Sequence, residues 1–154
     1  MINLINELND QFQNYPDLYY THRSGYVADD PFRLIQLDRF PFYNIMPDRE
    51  GIEKVDGVSF KEMERHVYVL EIQFAVRSMK KNNAIMGDPE ENLIGILGMK
   101  NDLWSCLISD RTVNKSVNGL LPGNDIDIDV FQIDDDIFIA GGTMSVSYYR
   151  DIAL

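Results

Sequence analysis

The chain has 154 residues, with 25 acidic and 14 basic side chains and a formal net charge of −11. That is the size of one ordinary domain of globular composition, so a single domain over residues 1–154 is expected. The acidic balance argues against a nucleic-acid binder that works by neutralising phosphates, and equally against a protein held on anionic lipid. A single cysteine, Cys106, excludes an intrachain disulfide framework and any CxxC-based zinc site. No apolar run approaches the length of a membrane span, and the first residues lack the basic and then apolar pattern of a secretory signal.

Residues 2–14 read as a short helix, because Ile5, Leu8 and Phe12 recur at spacings of three and four and so share a face. Pro16 stops it. Residues 17–38 form a long loop with scattered tyrosines, and such loops in compact domains are often binding segments. The aromatic stretch 40–46 favours a strand, and Pro41 makes it an edge strand because proline cannot donate to a ladder. Residues 47–51, beginning Pro47-Asp48, should end it. Asp56-Gly57 then marks a hairpin or bulge.

The clearest strand is 66–76. His66, Tyr68, Leu70, Ile72, Phe74 and Val76 alternate onto one face, with Val67, Val69, Glu71, Gln73, Ala75 and Arg77 on the other. That second face is mixed, which leaves room for part of it to be covered by another chain. Lys80-Lys81-Asn82-Asn83 reads as a turn. A helix is expected from Asp88, which can cap it, through Pro89 at the first helical position to about Ile108. Its apolar stripe is Leu93, Leu97, Trp104 and Leu107, flanked by Ile96, Leu103 and Ile108. Gly95 and Gly98 weaken it and would let a sheet approach closely.

Asp110 to Gly119 is polar and turn-like, and Pro122-Gly123-Asn124 is a further turn. From 125 to 130, Ile126, Ile128 and Val130 alternate with Asp125, Asp127 and Asp129. Asp134-Asp135-Asp136 is a hairpin turn leading into a last strand, residues 137–149, in which a bulge at Gly141-Gly142 would explain a change of apolar phase. In the hairpin so formed, Ile126, Ile128 and Val130 should face the helices. Helices separated by runs of strands imply an α+β fold: a mainly antiparallel sheet with two helices packed on one face.

No phosphate-cradling GxxxxGK[ST], nucleophile elbow GxSxG or zinc-binding HExxH is present. His66 reads as a structural histidine, nothing orients His22, and Cys106 reads as an inert thiol. Six aspartates and no lysine or arginine lie between Leu121 and Ala140. Alternate strand residues stand about 6–7 Å apart, so Asp125, Asp127 and Asp129 cannot all share one ion. Val130 also occupies the position where an EF-hand loop needs glycine. They read instead as a solvated or functional acidic surface, with no metal and no cofactor. The arginines of the first half, Arg39 and Arg77 among them, suit surface solubility or salt bridges between subunits.

Three stretches resemble the tail terminator proteins of long-tailed bacteriophages, also called tail completion or minor tail proteins. Phe42-Tyr43-Asn44-Ile45-Met46-Pro47-Asp48-Arg49-Glu50 is similar to that family's strand ending in a proline and an acidic residue. Glu64-Arg65-His66-Val67-Tyr68-Val69-Leu70-Glu71-Ile72-Gln73-Phe74-Ala75-Val76 is similar to its long central strand. The third stretch runs from Leu103-Trp104 and Leu107 through Asp110-Arg111-Thr112-Val113-Asn114-Lys115-Ser116-Val117-Asn118-Gly119 and ends in Thr143-Met144-Ser145-Val146-Ser147-Tyr148-Tyr149. Together they span most of residues 40–149. Where the family often has a Leu-Gly-Gly turn, this chain has Val113-Asn114-Lys115-Ser116.

The resemblance implies a non-enzymatic virion protein in the tail near the neck, assembled in the host cytoplasm. It implies a homohexameric ring on the last ring of tail tube protein, stopping tube growth and presenting a surface to a head–tail connector or neck protein. DNA would pass without specific binding, and no membrane is involved. On this reading Tyr19, Tyr20, Arg39 and Arg77 are interface candidates, and Asp125, Asp127 and Asp129 are channel-lining candidates. The competing readings are another neck or head–tail connector protein, a small α+β binding module without a ring, and a metal-dependent enzyme using the aspartates.

Overall fold

In this computed structural model, residues 1–15, 21–22, 40–55, 63–121 and 125–153 are described. The order of elements is helix α1 (Ile2–Asn14), strands β1 (Thr21–His22), β2 (Phe42–Val55) and β3 (Met63–Ser78), helices α2 (Lys81–Met86) and α3 (Ile96–Ser109), then β4 (Gly119–Leu120), β5 (Ile126–Asp134) and β6 (Ile137–Ala153). Strands β2 to β6 form an antiparallel sheet, to which β1 adds two residues in parallel beside Phe42 and Tyr43. The fold is α+β. The remaining residues of the expected 17–38 loop, the Asp56-Gly57 turn and the Pro122-Gly123-Asn124 turn lie outside the described residues.

The sheet is built on β3, which pairs with β6 without interruption from Met63 opposite Ala153 to Ser78 opposite Phe138. On the outer side of β6, β4 and β5 lie end to end. Leu120 is opposite Tyr148 and Ile126 opposite Met144, so six steps along this edge match four along β6. The Asp134-Asp135-Asp136 hairpin forms as expected, with Asp135 and Asp136 at its tip.

The main core lies between the helices and one face of the sheet. Leu70, Ile72, Phe74 and Val76 of β3 are buried there with Met144, Val146 and Tyr148 of β6. Helix α1 contributes Leu4, Leu8 and Phe12, and the Phe12 ring meets Tyr43 edge-on at 5.1 Å. No side chain caps the start of α1, a lack worth about 1 kcal/mol. Each buried apolar anchor contributes about 1.5–3 kcal/mol, so packing decides the helix.

Three sequence expectations are corrected. First, β2 does not stop at Pro47. It passes a bulge between Pro47 and Arg49 and continues to Val55, and an edge strand at a bulge is where a missing N–H is tolerated. Second, the Lys80–Asn83 turn is the entry to α2, and the long helix begins at Ile96. The Asp88 carboxylate accepts the Glu90 amide at 3.1 Å, and Asp88 and Leu93 exchange backbone hydrogen bonds of 2.9 Å. The apparent cap therefore closes a turn. The buried residues of α3 are Ile96, Met99, Leu103, Cys106 and Leu107, while Leu93 and Ile108 are exposed. Gly95 admits no sheet; its close neighbour is the Gly87 backbone, which a Cβ on Gly95 would overlap.

Third, there is no bulge at Gly141-Gly142. They pair with Ala75 and Phe74 in continuous register. The apolar phase changes because Ile139 is buried on the opposite face, in a second cluster with Phe42 and Ala75. On that second face, Val69 and Ala75 of β3 are buried within the single chain.

Candidate functional site: the acidic edge of the sheet

Near its end, strand β5 packs Ile133 against the second cluster. Ile128 and Val130 pack against the main core, whereas Ile126, on the same side, is exposed beside the break between β4 and β5. Because strand side chains alternate, this anchoring turns Asp125, Asp127 and Asp129 to the other side of the edge, where all three are exposed. Asp134, Asp135 and Asp136 continue the exposed carboxylates around the hairpin tip. Neither β5 nor its turn carries a lysine or arginine. Among the described residues, no three His, Cys, Asp or Glu side chains converge as metal ligands would.

Register places Asp127 opposite Thr143 and Asp129 opposite Gly141. Inward from these carboxylates is a hollow of about 150 Å3, lined among others by Phe42, Ala75, Phe131 and Gly141. Gly141 has open space where its side chain would be. Chemically this edge repels anions and offers carboxylate oxygens to cations.

The other candidates are not brought to it. Tyr19, Tyr20 and Arg39 lie outside the described residues. Arg77 is exposed at the far end of β3, with its guanidinium carbon 5.1 Å from the Phe40 ring centre. The His66 Nε2 lies 3.5 Å from a Glu64 carboxylate oxygen. Cys106 is buried, its Sγ contacts the Gln11 carbonyl at 3.7 Å, and burial pushes its thiol up to about 12. At neutral pH it stays protonated and poorly nucleophilic.

Two arrangements escape a reading of the sequence. Arg65 and Asp151 face each other across β3 and β6 in a two-pronged pair at 2.8 and 3.0 Å, and Arg65 also covers the Tyr149 ring at 4.4 Å. The pair holds the Asp151 carboxyl below its ordinary range. Only strand register could reveal it, since the partners are 86 residues apart.

The second is a knot after α3. One Asp110 oxygen accepts the Thr112 amide at 3.0 Å and its hydroxyl at 2.6 Å; the other accepts the Asn114 amide at 2.8 Å. Val113, Asn114 and Lys115 there take φ values of 48°, 54° and 62°. This is the left-handed conformation that glycine adopts most easily. Asp110 therefore holds by hydrogen bonds a conformation that glycine would adopt freely.

A comparison with protein-family models finds none that matches this chain, and a comparison with curated proteins finds no relative. No described helix is long and apolar enough to cross a membrane.

Proposed function

We propose that this chain is a non-enzymatic tail terminator of a long-tailed phage. It assembles as a ring, six copies by the resemblance, on the end of the tail tube, stops its growth and offers the head–tail connector a docking surface. Its place is the virion tail near the neck, reached from the host cytoplasm during assembly. The element order supports this reading: a long strand pair, a helical middle and a terminal strand carry the three resembling stretches in turn.

The observation that carries the proposal is the outward row of Asp125, Asp127 and Asp129 on a strand anchored from its other side. A passage for double-stranded DNA must not adhere to it. Carboxylates repel phosphate over about 8–10 Å, whereas lysines would bind it by counterion release. On this reading the row, or part of it, lines the channel.

Light scattering on the chain mixed with its tube protein tests the proposal. The expected result is a complex in which copies of the chain occupy tube ends and tube growth stops. Tubes that elongate unchanged in excess of the chain contradict it.

A further inference from the structure

We propose that two copies of the free chain pair through the outer edge of β2, antiparallel about a two-fold axis beside Ile52. The proposal does not rest on the tail reading. A two-fold contact uses one surface twice and closes at two copies, whereas a ring joins two different surfaces.

The first half of β2 is buried, but all eight residues 47–54 are exposed. Their inner side pairs with β3 from Arg49 opposite Val69 to Val55 opposite Met63. Among the described residues, the outer side is paired only at Phe42 and Tyr43, by strand β1. The outward amides and carbonyls of 49–55 are therefore a template for a further strand. Pro47 and the bulge after it end the pairable stretch. Within it Ile52 is 64% exposed, the most exposed large apolar side chain on the sheet.

Charge selects a second copy as the occupant. The stretch reads Arg49-Glu50-Gly51-Ile52-Glu53-Lys54. A two-fold axis normal to the sheet keeps each face on its own side, so residues of like parity come opposite each other. With Ile52 opposite Ile52, each Glu50 meets Lys54 of the second copy, and each Arg49 is diagonal to Glu53. Both ion pairs occur twice, flanking an apolar contact. Shifting the axis to Gly51 brings Arg49 opposite Glu53, but it sets Glu50 against Ile52 and loses both the apolar contact and the Glu50–Lys54 pairs. The N-terminal ammonium 3.5 Å from one Glu50 oxygen leaves the other oxygen for the lysine.

Sedimentation velocity on the purified chain, over a range of concentrations, should show a monomer–dimer equilibrium. Glu50→Lys or Lys54→Glu alone sets like charges opposite each other twice and should weaken the dimer about tenfold or more. The double swap Glu50→Lys with Lys54→Glu should restore it. Mild oxidation of Ile52→Cys should give a disulfide-linked dimer, because directly opposed strand residues fall within disulfide reach. Glu53→Cys, opposite Gly51, should not. The parent chain, whose one thiol is buried, is the control. A chain that stays monomeric throughout, a dimer indifferent to both single reversals, or cross-linking at 53 rather than 52 would overturn the proposal.

Discussion

Gly142 and Phe74 lie opposite each other on β6 and β3, and the Phe74 ring fills the space that a side chain on Gly142 would need. The neighbouring Gly141, on the other face, has nothing within 4 Å of where its Cβ would be. Two adjacent glycines thus have opposite packing roles.

Gly142→Ala should therefore destabilise the chain by about 1–3 kcal/mol, the usual cost of overpacking a core. Gly141→Ala should be neutral or gain up to about 1 kcal/mol, because glycine inside a strand loses more freedom on folding. Urea denaturation of the two variants against the parent separates them.

The turn after α3 should respond to acid. The Thr112 hydroxyl, then the Asn114 amide, hold the Asp110 carboxyl below its ordinary value of 3.8. A depressed carboxyl stabilises the fold above that ordinary value and loses its contribution as pH falls through the folded one. Asp110→Asn should cost about 1–2 kcal/mol at neutral pH. In thermal melts, the gap to the parent should narrow below about pH 4. A constant gap across that window contradicts the assignment.

Lys115 is exposed and left-handed. Lys115→Gly should stabilise by up to about 1 kcal/mol by removing that strain, read from the denaturation midpoint. Lys115→Val should lower it.

The anchoring of β5 separates two isoleucines two residues apart. Ile128→Asp places a charge against the main core and should cost about 2–4 kcal/mol or abolish folding. Ile126→Asp, already exposed, should cost under about 1 kcal/mol. A soluble, fully folded Ile128→Asp variant contradicts the anchoring.

These contrasts show which parts of the fold were legible. The alternation of β3 is carried by residues 66–76 themselves, and both strands of the last hairpin announce themselves around Asp134-Asp135-Asp136. The acidic row of β5 was readable for the same reason, since alternation with Ile128 and Val130 fixes its side. The start of α3 was not, because Asp88-Pro89 satisfies local rules for a helix cap and a turn alike. The Gly141-Gly142 phase change imitates a bulge because Ile139 is buried on the face opposite the main core. Arg65 with Asp151 depends on register between distant strands, which local spacing does not encode.

If the proposed channel reading holds, replacing Asp125, Asp127 and Asp129 together with lysine should leave the fold intact, since all three are exposed. DNA ejection from virions carrying the triple variant should slow, most at low salt where screening is weakest. Unchanged ejection kinetics would remove the channel role and leave a solvated edge.

The most direct test of the tail-terminator proposal is negative-stain microscopy of tails assembled without this protein. The account predicts overlong tubes that fail to join heads, with normal tails restored when the protein is supplied. Tails of normal length, joined to heads in its absence, would contradict it.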